Sequence, residues 1–400
     1  MLTSPWLSGH RFTLLENGEA FFPAVLEAIG GARETVLIET FIWNDDGIGR
    51  ALRDALIDAA RRGVRVEVCA DAYGSPQLTD AFLEAPRSAG VRVRVFDPQP
   101  TVMGMRTNLF RRLHRKIAVI DDEVAFVGGI NFEDWQKVEF SERSKRDYAV
   151  RVTGPVVAEI RAFCDAFVCG ESPRAPRTSW WRRWRRAHGA GLQPPGADGV
   201  ARFVYRDNER HRADIEQMYR AWIRAARDEI ILANAYFFPG YRLLRQLRLA
   251  ARRGVRVRLI LQGMPDLKYA QLAARTLYEY LIASGVEIHE FTERPLHAKV
   301  AVIDGHRVTI GSSNLDPLSL WLNLEANLFV SDRELADDLR GRLIDTIEHQ
   351  CRRVDYEQVR MPRWWRQVYR SVLFHLVRRF PGWAGLLATL GPRRQKLQLR

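Results

Sequence analysis

The chain has 400 residues but only four cysteines, Cys69, Cys164, Cys169 and Cys351, and no two of them form a CxxC pair. A zinc site or a disulfide framework is therefore not expected, and isolated thiols in apolar segments fit a reducing compartment. No stretch reaches the roughly 18 uninterrupted apolar residues of a membrane-spanning helix. The apolar run from Phe21 to Ile29 carries Glu27 and follows no basic region. It does not read as a secretory signal, and the chain is expected to stay on the cytoplasmic side. No acidic cluster offers hard-metal ligands. Acid is also missing from two tracts: residues 172–190 hold six Arg and residues 358–400 hold nine Arg and one Lys, with no Asp or Glu in either.

Those tracts account for the charge. Removing them from the net +13 leaves the remainder near −3, a nearly neutral globule with two basic segments suited to an anionic surface such as nucleic acid or acidic lipid. Trp180, Trp181 and Trp184 lie in the first tract and Trp364, Trp365 and Trp383 in the second. Indole favours the boundary between headgroups and acyl chains, although it also stacks on bases, so the composition favours lipid. On a helix, Trp365, Val368, Tyr369, Val372, Leu376 and Phe380 form one stripe with arginines on the remainder, as an interfacial helix or one docked on the protein's own core would.

The length exceeds what one core usually organises, and the sequence repeats. The octapeptide AARRGVRV at 59–66 recurs at 250–257, and LHRK at 113–116 recurs as LHAK at 296–299. Residues 35–43, 47–62 and 64–69 read as strand, helix and strand; residues 229–236, 240–253 and 255–261 repeat the order. The expected fold is α/β: two pseudo-symmetric repeats at 1–170 and 199–355, each a mixed or parallel sheet flanked by helices. A basic Trp/Arg linker at 171–198 separates them, and a basic amphipathic tail at 356–400 follows.

His114 and Lys116 are two apart on an apolar, β-branched run, as are His297 and Lys299, so each pair projects on one face. An imidazole beside an ammonium can read a phosphate, the ring attacking or moving protons and the cation holding charge. Each copy continues through four residues to an aspartate, Asp121 or Asp304, and then to a small-residue turn, Gly128-Gly129-Ile130-Asn131 or Gly311-Ser312-Ser313-Asn314. Such a turn brings backbone donors and an Asn amide close to an anion. One His-x-Lys is weak; two with the same spacing are not, and a duplicated but inactive fold is the remaining bland reading.

The doubled HxK(x)4D(x)6G(G/S)xN resembles the phospholipase D superfamily, and ANAYFFPGYR (233–242), AARRGVRV (250–257) and GSSNLDPLSLWLNLEANL (311–328) are similar to its bacterial cardiolipin synthase B type. The resemblance implies that both motifs meet in one shared active site without metal or other cofactor. It implies catalytic motif residues His114, Lys116, Asp121, His297, Lys299 and Asp304, with Asn131, Asp147, Ser312, Asn314 and Glu325 binding phosphate or orienting the histidines. Asp121 and Asp304, one strand length from the histidines, read as structural within that motif. The first copy departs from the second in having Gly129 in place of the serine and no Glu at the offset of Glu325, so Asp147 is taken as its carboxylate. Glu39, mid-strand, fits a substrate contact and a structural hydrogen bond equally.

The implied activity is phosphatidyl transfer from one phosphatidylglycerol to another through a phosphatidyl-histidine, on an anionic membrane surface and with no nucleic acid partner. By resemblance His114 is the nucleophile and His297 the acid and base, with the opposite order open. A hydrolase or a nuclease would carry the same motifs, and a scaffold could keep the fold without catalysis. The segment 96–112, with Met103, Met105, Leu109 and Phe110, fits a lipid-facing lid or an ordinary surface loop.

Overall fold

A computed structural model describes residues 4–96, 101–102, 105–106, 112–137, 144–168, 191–264, 271 and 274–360. The 172–190 tract, residues 361–400 and most of the 96–112 loop lie outside them.

In chain order the strands of the first half are β1 (Leu7–Ser8), β2 (Arg11–Glu16), β3 (Thr35–Thr40), β4 (Arg65–Asp71), β5 (Arg92–Phe96), β6 (Thr101–Val102), β7 (Met105–Arg106), β8 (Ile117–Ile120), β9 (Val124–Gly128) and β10 (Tyr148–Thr153). Those of the second are β11 (Val200–Arg206), β12 (Glu229–Asn234), β13 (Arg256–Gln262), β14 (Glu287–Phe291), β15 (Lys299–Ile303), β16 (Arg307–Gly311), β17 (Glu325–Ser331) and β18 (Cys351–Arg353). One sheet runs β2-β10-β9-β8-β3-β4-β5 and the other β1-β11-β17-β16-β15-β12-β13-β14-β18. Both are mixed: β3-β4-β5 and β12-β13-β14 are parallel, the other pairings antiparallel. The fold is thus the doubled α/β arrangement the repeat predicts. The first strand departs from the 1–170 grouping, because Leu7 and Ser8 pair with Ala201 and Val200 of the second sheet.

The repeated AARRGV has a local physical cause. It closes the helices Gly47–Arg61 and Tyr241–Arg252, where Gly63 (φ 90°) and Gly254 (φ 91°) take the left-handed conformation that ends a helix. Arg62 and Arg253 each donate to carbonyls ending the preceding helix, Ile29 and Ile223 among them, and so meet its orphan acceptors. The apolar run Phe21 to Ile29 is the core face of the helix Asn17–Gly31, with Phe21, Phe22, Val25 and Ile29 buried.

One apolar core joins the halves. Val119, Val127 and Val150 of the first sheet share a buried cluster with Val300, Ile310 and Leu328 of the second. Two helices lie in this seam, Val156–Val168 and Arg333–His349, contributing Ile160, Phe163, Leu339 and Leu343. At about 1.5–3 kcal/mol per fully buried large aliphatic or aromatic side chain, such a seam packs the two sheets against each other so that they can share a site.

Candidate active site

The motif aspartates sit at the far ends of β8 and β15. Asp121 (φ 50°) and Asp304 (φ 51°) are both left-handed, a conformation Asp tolerates when its side chain finds local donors. Asp121 accepts from the backbone N–H groups of Arg33, Glu34 and Thr35 at 3.1, 2.9 and 2.8 Å. Asp304 accepts from those of Arg227, Asp228 and Glu229 at 3.1, 2.9 and 3.2 Å. These contacts fit the structural reading: each carboxylate ties the turn after the motif strand to the start of β3 or β12.

The His-x-Lys segments are extended, but β8 begins only at Ile117 and β15 at Lys299. Their backbone bonds go to the other half instead. His114 N–H donates to Leu324 O (3.0 Å) and Leu324 N–H to Arg112 O (2.8 Å), while His297 N–H donates to Arg146 O (2.8 Å) and Arg146 N–H to Pro295 O (2.9 Å). Leu324 precedes Glu325 and Arg146 precedes Asp147, so each histidine is laid beside a carboxylate of the opposite repeat. His114 Nδ1 is 3.0 Å from Glu325 Oε1 and 3.1 Å from Oε2; His297 Nδ1 is 2.5 Å from Asp147 Oδ2.

Strand register makes Asp147 and Glu325 equivalent. Gly128 pairs with Ala149 and Gly311 with Asn327, and the two carboxylates lie two residues before those partners. Sixteen residues separate Asn131 from Asp147 but eleven separate Asn314 from Glu325, which hides the correspondence in the sequence. Gly129 is explained too: a Cβ there would lie 2.3 Å from Asp147 Oδ1. In the second half Ser312 Oγ donates to Glu325 Oε2 at 2.5 Å.

His114, Lys116, Asn131, Asp147, Lys299, Ser312, Asn314 and Glu325 are all buried, and the His297 side chain is 12% exposed. Lys116 Nζ donates to His114 O at 2.7 Å, Lys299 Nζ to His297 O, and Lys299 Nζ lies 4.0 Å from Asp147 Oδ2. Burial, with Lys299 nearby, brings Lys116 down to about 7. Burial, with Lys116 adding to it, brings His114 down to about 4, and burial and Lys299 hold His297 well below its ordinary range. Burial raises Asp147 to about 6. It acts the same way on Glu325, but the close contact with His114, the nearby Lys116 and the Ser312 hydrogen bond outweigh it and hold that carboxyl low. The free site therefore presents neutral imidazoles and crowded ammonium groups, a field an incoming anion relieves. Asn131 Oδ1 accepts from Ile42 N–H at 3.2 Å, and Asn314 Oδ1 is buried without a partner among the described residues.

Sequence reasoning missed Asp71 and Gln262. They end the equivalent strands β4 and β13, and each holds the residue before a motif histidine: Asp71 Oδ2 accepts from Leu113 N–H at 2.7 Å, and Gln262 Oε1 from Leu296 N–H at 2.9 Å. The available signal was a polar residue closing the same apolar strand in both copies. Glu39 resolves to a structural partner, its carboxylate 2.6 Å from Arg115 Nε with both side chains fully buried. Arg115 is pinned further by the Phe163 and Phe167 rings, and Phe41 packs edge-on against His114 with centroids 5.0 Å apart. Among the described residues no group of three or more His, Cys, Asp or Glu could hold a metal ion.

Residues 25–162 and 219–345 match the family model described as cardiolipin synthase, PLD-like domain. The chain belongs to this family of the phospholipase D superfamily. It is 49% identical over 387 residues to cardiolipin synthase B of Salmonella typhimurium, covering 97% of this chain and 92% of that one. Against cardiolipin synthase B of Escherichia coli K12 the identity is 48% over 388 residues, again 97% and 92%. A cardiolipin synthase of Geobacillus kaustophilus is 32% identical over 356 residues, 86% of this chain and 67% of its own. Among solved structures, the phosphatidylserine synthase of Haemophilus influenzae superposes with a TM-score of 0.67 at 14% identity, covering 93% and 94% of the two chains, a likeness of fold.

Proposed function

We propose that the chain is a phosphatidyltransferase that makes cardiolipin from two phosphatidylglycerol molecules, releasing glycerol, as a peripheral enzyme on the cytoplasmic face of the bacterial membrane. The crossed pairing of each histidine with a carboxylate from the opposite repeat carries the chemistry, and the near full-length identity to cardiolipin synthases supports the substrate.

With Nδ1 of His114 held by Glu325, Nε2 is the nitrogen left for attack. It displaces the glycerol oxygen from the donor phosphorus, forming a phosphatidyl-histidine, while the His297–Asp147 pair, holding two protons between them, gives one through His297 Nε2 to that oxygen. His297 then takes the proton of an incoming phosphatidylglycerol hydroxyl, whose oxygen attacks phosphorus and frees His114. The 2.5 Å contact between His297 and Asp147, with Asp147 near 6, suits a pair that shares a proton and exchanges it during turnover. Lys116 and Lys299 stabilise the extra charge of the five-coordinate phosphorus. A unit pair near 4 Å is worth about 4 kcal/mol at an effective dielectric of about 20. Asn131, Ser312 and Asn314 line the same site, Ser312 by fixing Glu325. The basic Trp/Arg tracts support an anionic membrane surface, and not nucleic acid, as the partner.

The experiment is incubation of pure protein with phosphatidylglycerol vesicles and a chelator, followed by lipid chromatography. Cardiolipin plus glycerol supports the reading; phosphatidic acid would replace it with a hydrolase, and an absolute need for divalent metal would remove the electrostatic role of the lysines.

A further inference from the structure

Among the described residues the large exposed hydrophobics are Tyr73, Trp135, Tyr241, Met264 and Leu318, between 38% and 48% exposed. Single exposed apolar side chains are ordinary on a soluble protein. Here their positions are not scattered. Tyr73 lies two residues past Asp71 and Met264 two past Gln262, the residues that hold Leu113 and Leu296 beside the motif histidines. Trp135 lies four past Asn131 and Leu318 four past Asn314. They are two pseudo-twofold pairs, one member from each repeat, on the loops that carry the site. Tyr241 opens the helix after β12, and that connection is tied to the Leu318 loop where Phe238 N–H donates to Leu315 O at 2.7 Å.

Cations stand beside the same loops. The guanidinium of Arg112, two residues before His114, stacks on the Tyr73 ring at 4.0 Å, and the backbone N–H of Lys145, whose ammonium pairs with Glu133 at 2.7 Å, donates to Trp135 O at 2.9 Å. Aromatic and flexible apolar side chains next to Arg and Lys form the composition that settles at the boundary between anionic headgroups and acyl chains. The pairing matters as much as the composition, since a rim shared between the repeats sets the pseudo-twofold axis toward whatever surface it touches.

We propose that this rim docks the mouth of the site onto the headgroup layer of an anionic bilayer, so that donor and acceptor phospholipids enter from the same leaflet. This rests on the transferase reading for its substrate. It assigns the docking face to the folded repeats themselves, apart from any contribution of the basic tail.

The test uses a four-site variant, Tyr73→Ser, Trp135→Ser, Met264→Gln and Leu318→Gln, in the full chain. Transfer is measured on vesicles of equal parts phosphatidylglycerol and phosphatidylcholine, and on short-chain phosphatidylglycerol dissolved below its micellar concentration. Loss of about 1.4 kcal/mol of docking corresponds to about a tenfold fall on vesicles, with dissolved-lipid activity unchanged. In a Cys169→Ser, Cys351→Ser background, a polarity-sensitive fluorophore on Met264→Cys or Leu318→Cys shifts to the blue on these vesicles, and one on Asp58→Cys of the helix Gly47–Arg61 does not. An equal loss on both substrates overturns the proposal in favour of acyl-chain contacts within the site. Unchanged vesicle activity, or emission that does not distinguish the rim from Asp58, also overturns it. The fluorescence arm needs no turnover, so failure of the transferase reading alone leaves it decisive.

Discussion

Glu325 of the second repeat grips the ring of His114 in the first, Nδ1 lying 3.0 and 3.1 Å from its two carboxylate oxygens. Asp147 does the reverse for His297. Neither repeat alone holds a histidine in a fixed tautomer, which gives a physical reason for the seam of buried side chains between the sheets.

The crossed pairs should behave as units. Glu325→Gln leaves a neutral partner on His114 and is expected to lower kcat by 10²–10⁴, roughly the range of a lost acid-base contribution. Combined with His114→Asn it should cost almost nothing more, because residues acting as one unit are not additive. Steady-state rates of the single and double variants check this; additive losses would separate the two residues.

The pH profile on a dissolved phosphodiester should be narrow. With a donor whose good leaving group makes transfer from the intermediate limiting, His297 must take the acceptor's proton beside an ionised Asp147, so kcat rises as pH passes through about 6. Lys116, near 7, stabilises the five-coordinate phosphorus only while charged, so kcat falls as pH rises through about 7. Lys116→Arg stays protonated throughout, and its alkaline limb should move up by more than one pH unit even if the rate drops. An unmoved limb would assign the titration elsewhere.

Asp121 and Asp304 should matter for stability and not for chemistry. Asp121→Ala removes three acceptor contacts to the backbone of residues 33–35 and is expected to cost about 1.5–3 kcal/mol, the range for bonds to a charged group. Denaturant melts measure the loss, and the specific activity of the folded protein should stay within a few-fold of the unaltered chain.

Glu39 and Arg115 form a buried ion pair at a place where the second repeat has Ala233 and Ala298. Arg115→Ala alone leaves a buried carboxylate and should destabilise by about 3–5 kcal/mol, while Glu39→Ala with Arg115→Ala should recover much of it. Equal melts for single and double variants would contradict this pairing.

Much of the scaffold was legible in the sequence because local rules govern it. The strand read at 35–43 is Thr35–Thr40 and the helix read at 47–62 is Gly47–Arg61, since apolar period and the closing glycine act over a few residues. The histidines and lysines were legible from two equal spacings, whereas Glu325 and Asp147, at unequal offsets, were named only through the family resemblance. What stayed hidden depends on contacts across the repeats. The exchange of carboxylates follows from Leu113 lying beside Leu324 and Arg146 beside Leu296, pairings more than a hundred residues apart in the chain. The strand start after Lys116 moved for the same reason, because the motif backbone bonds to the opposite half.

The central claim is that His114 carries the phosphatidyl group and His297 moves the proton. The most direct measurement is intact mass and peptide mapping of the His297→Asn protein, quenched without acid after exposure to a phosphodiester whose good leaving group needs little protonation. The account predicts a stable phosphatidyl adduct on His114. A productive adduct on His297 in the His114→Asn protein would reverse the roles, and fast single-step transfer in both variants would contradict the covalent mechanism.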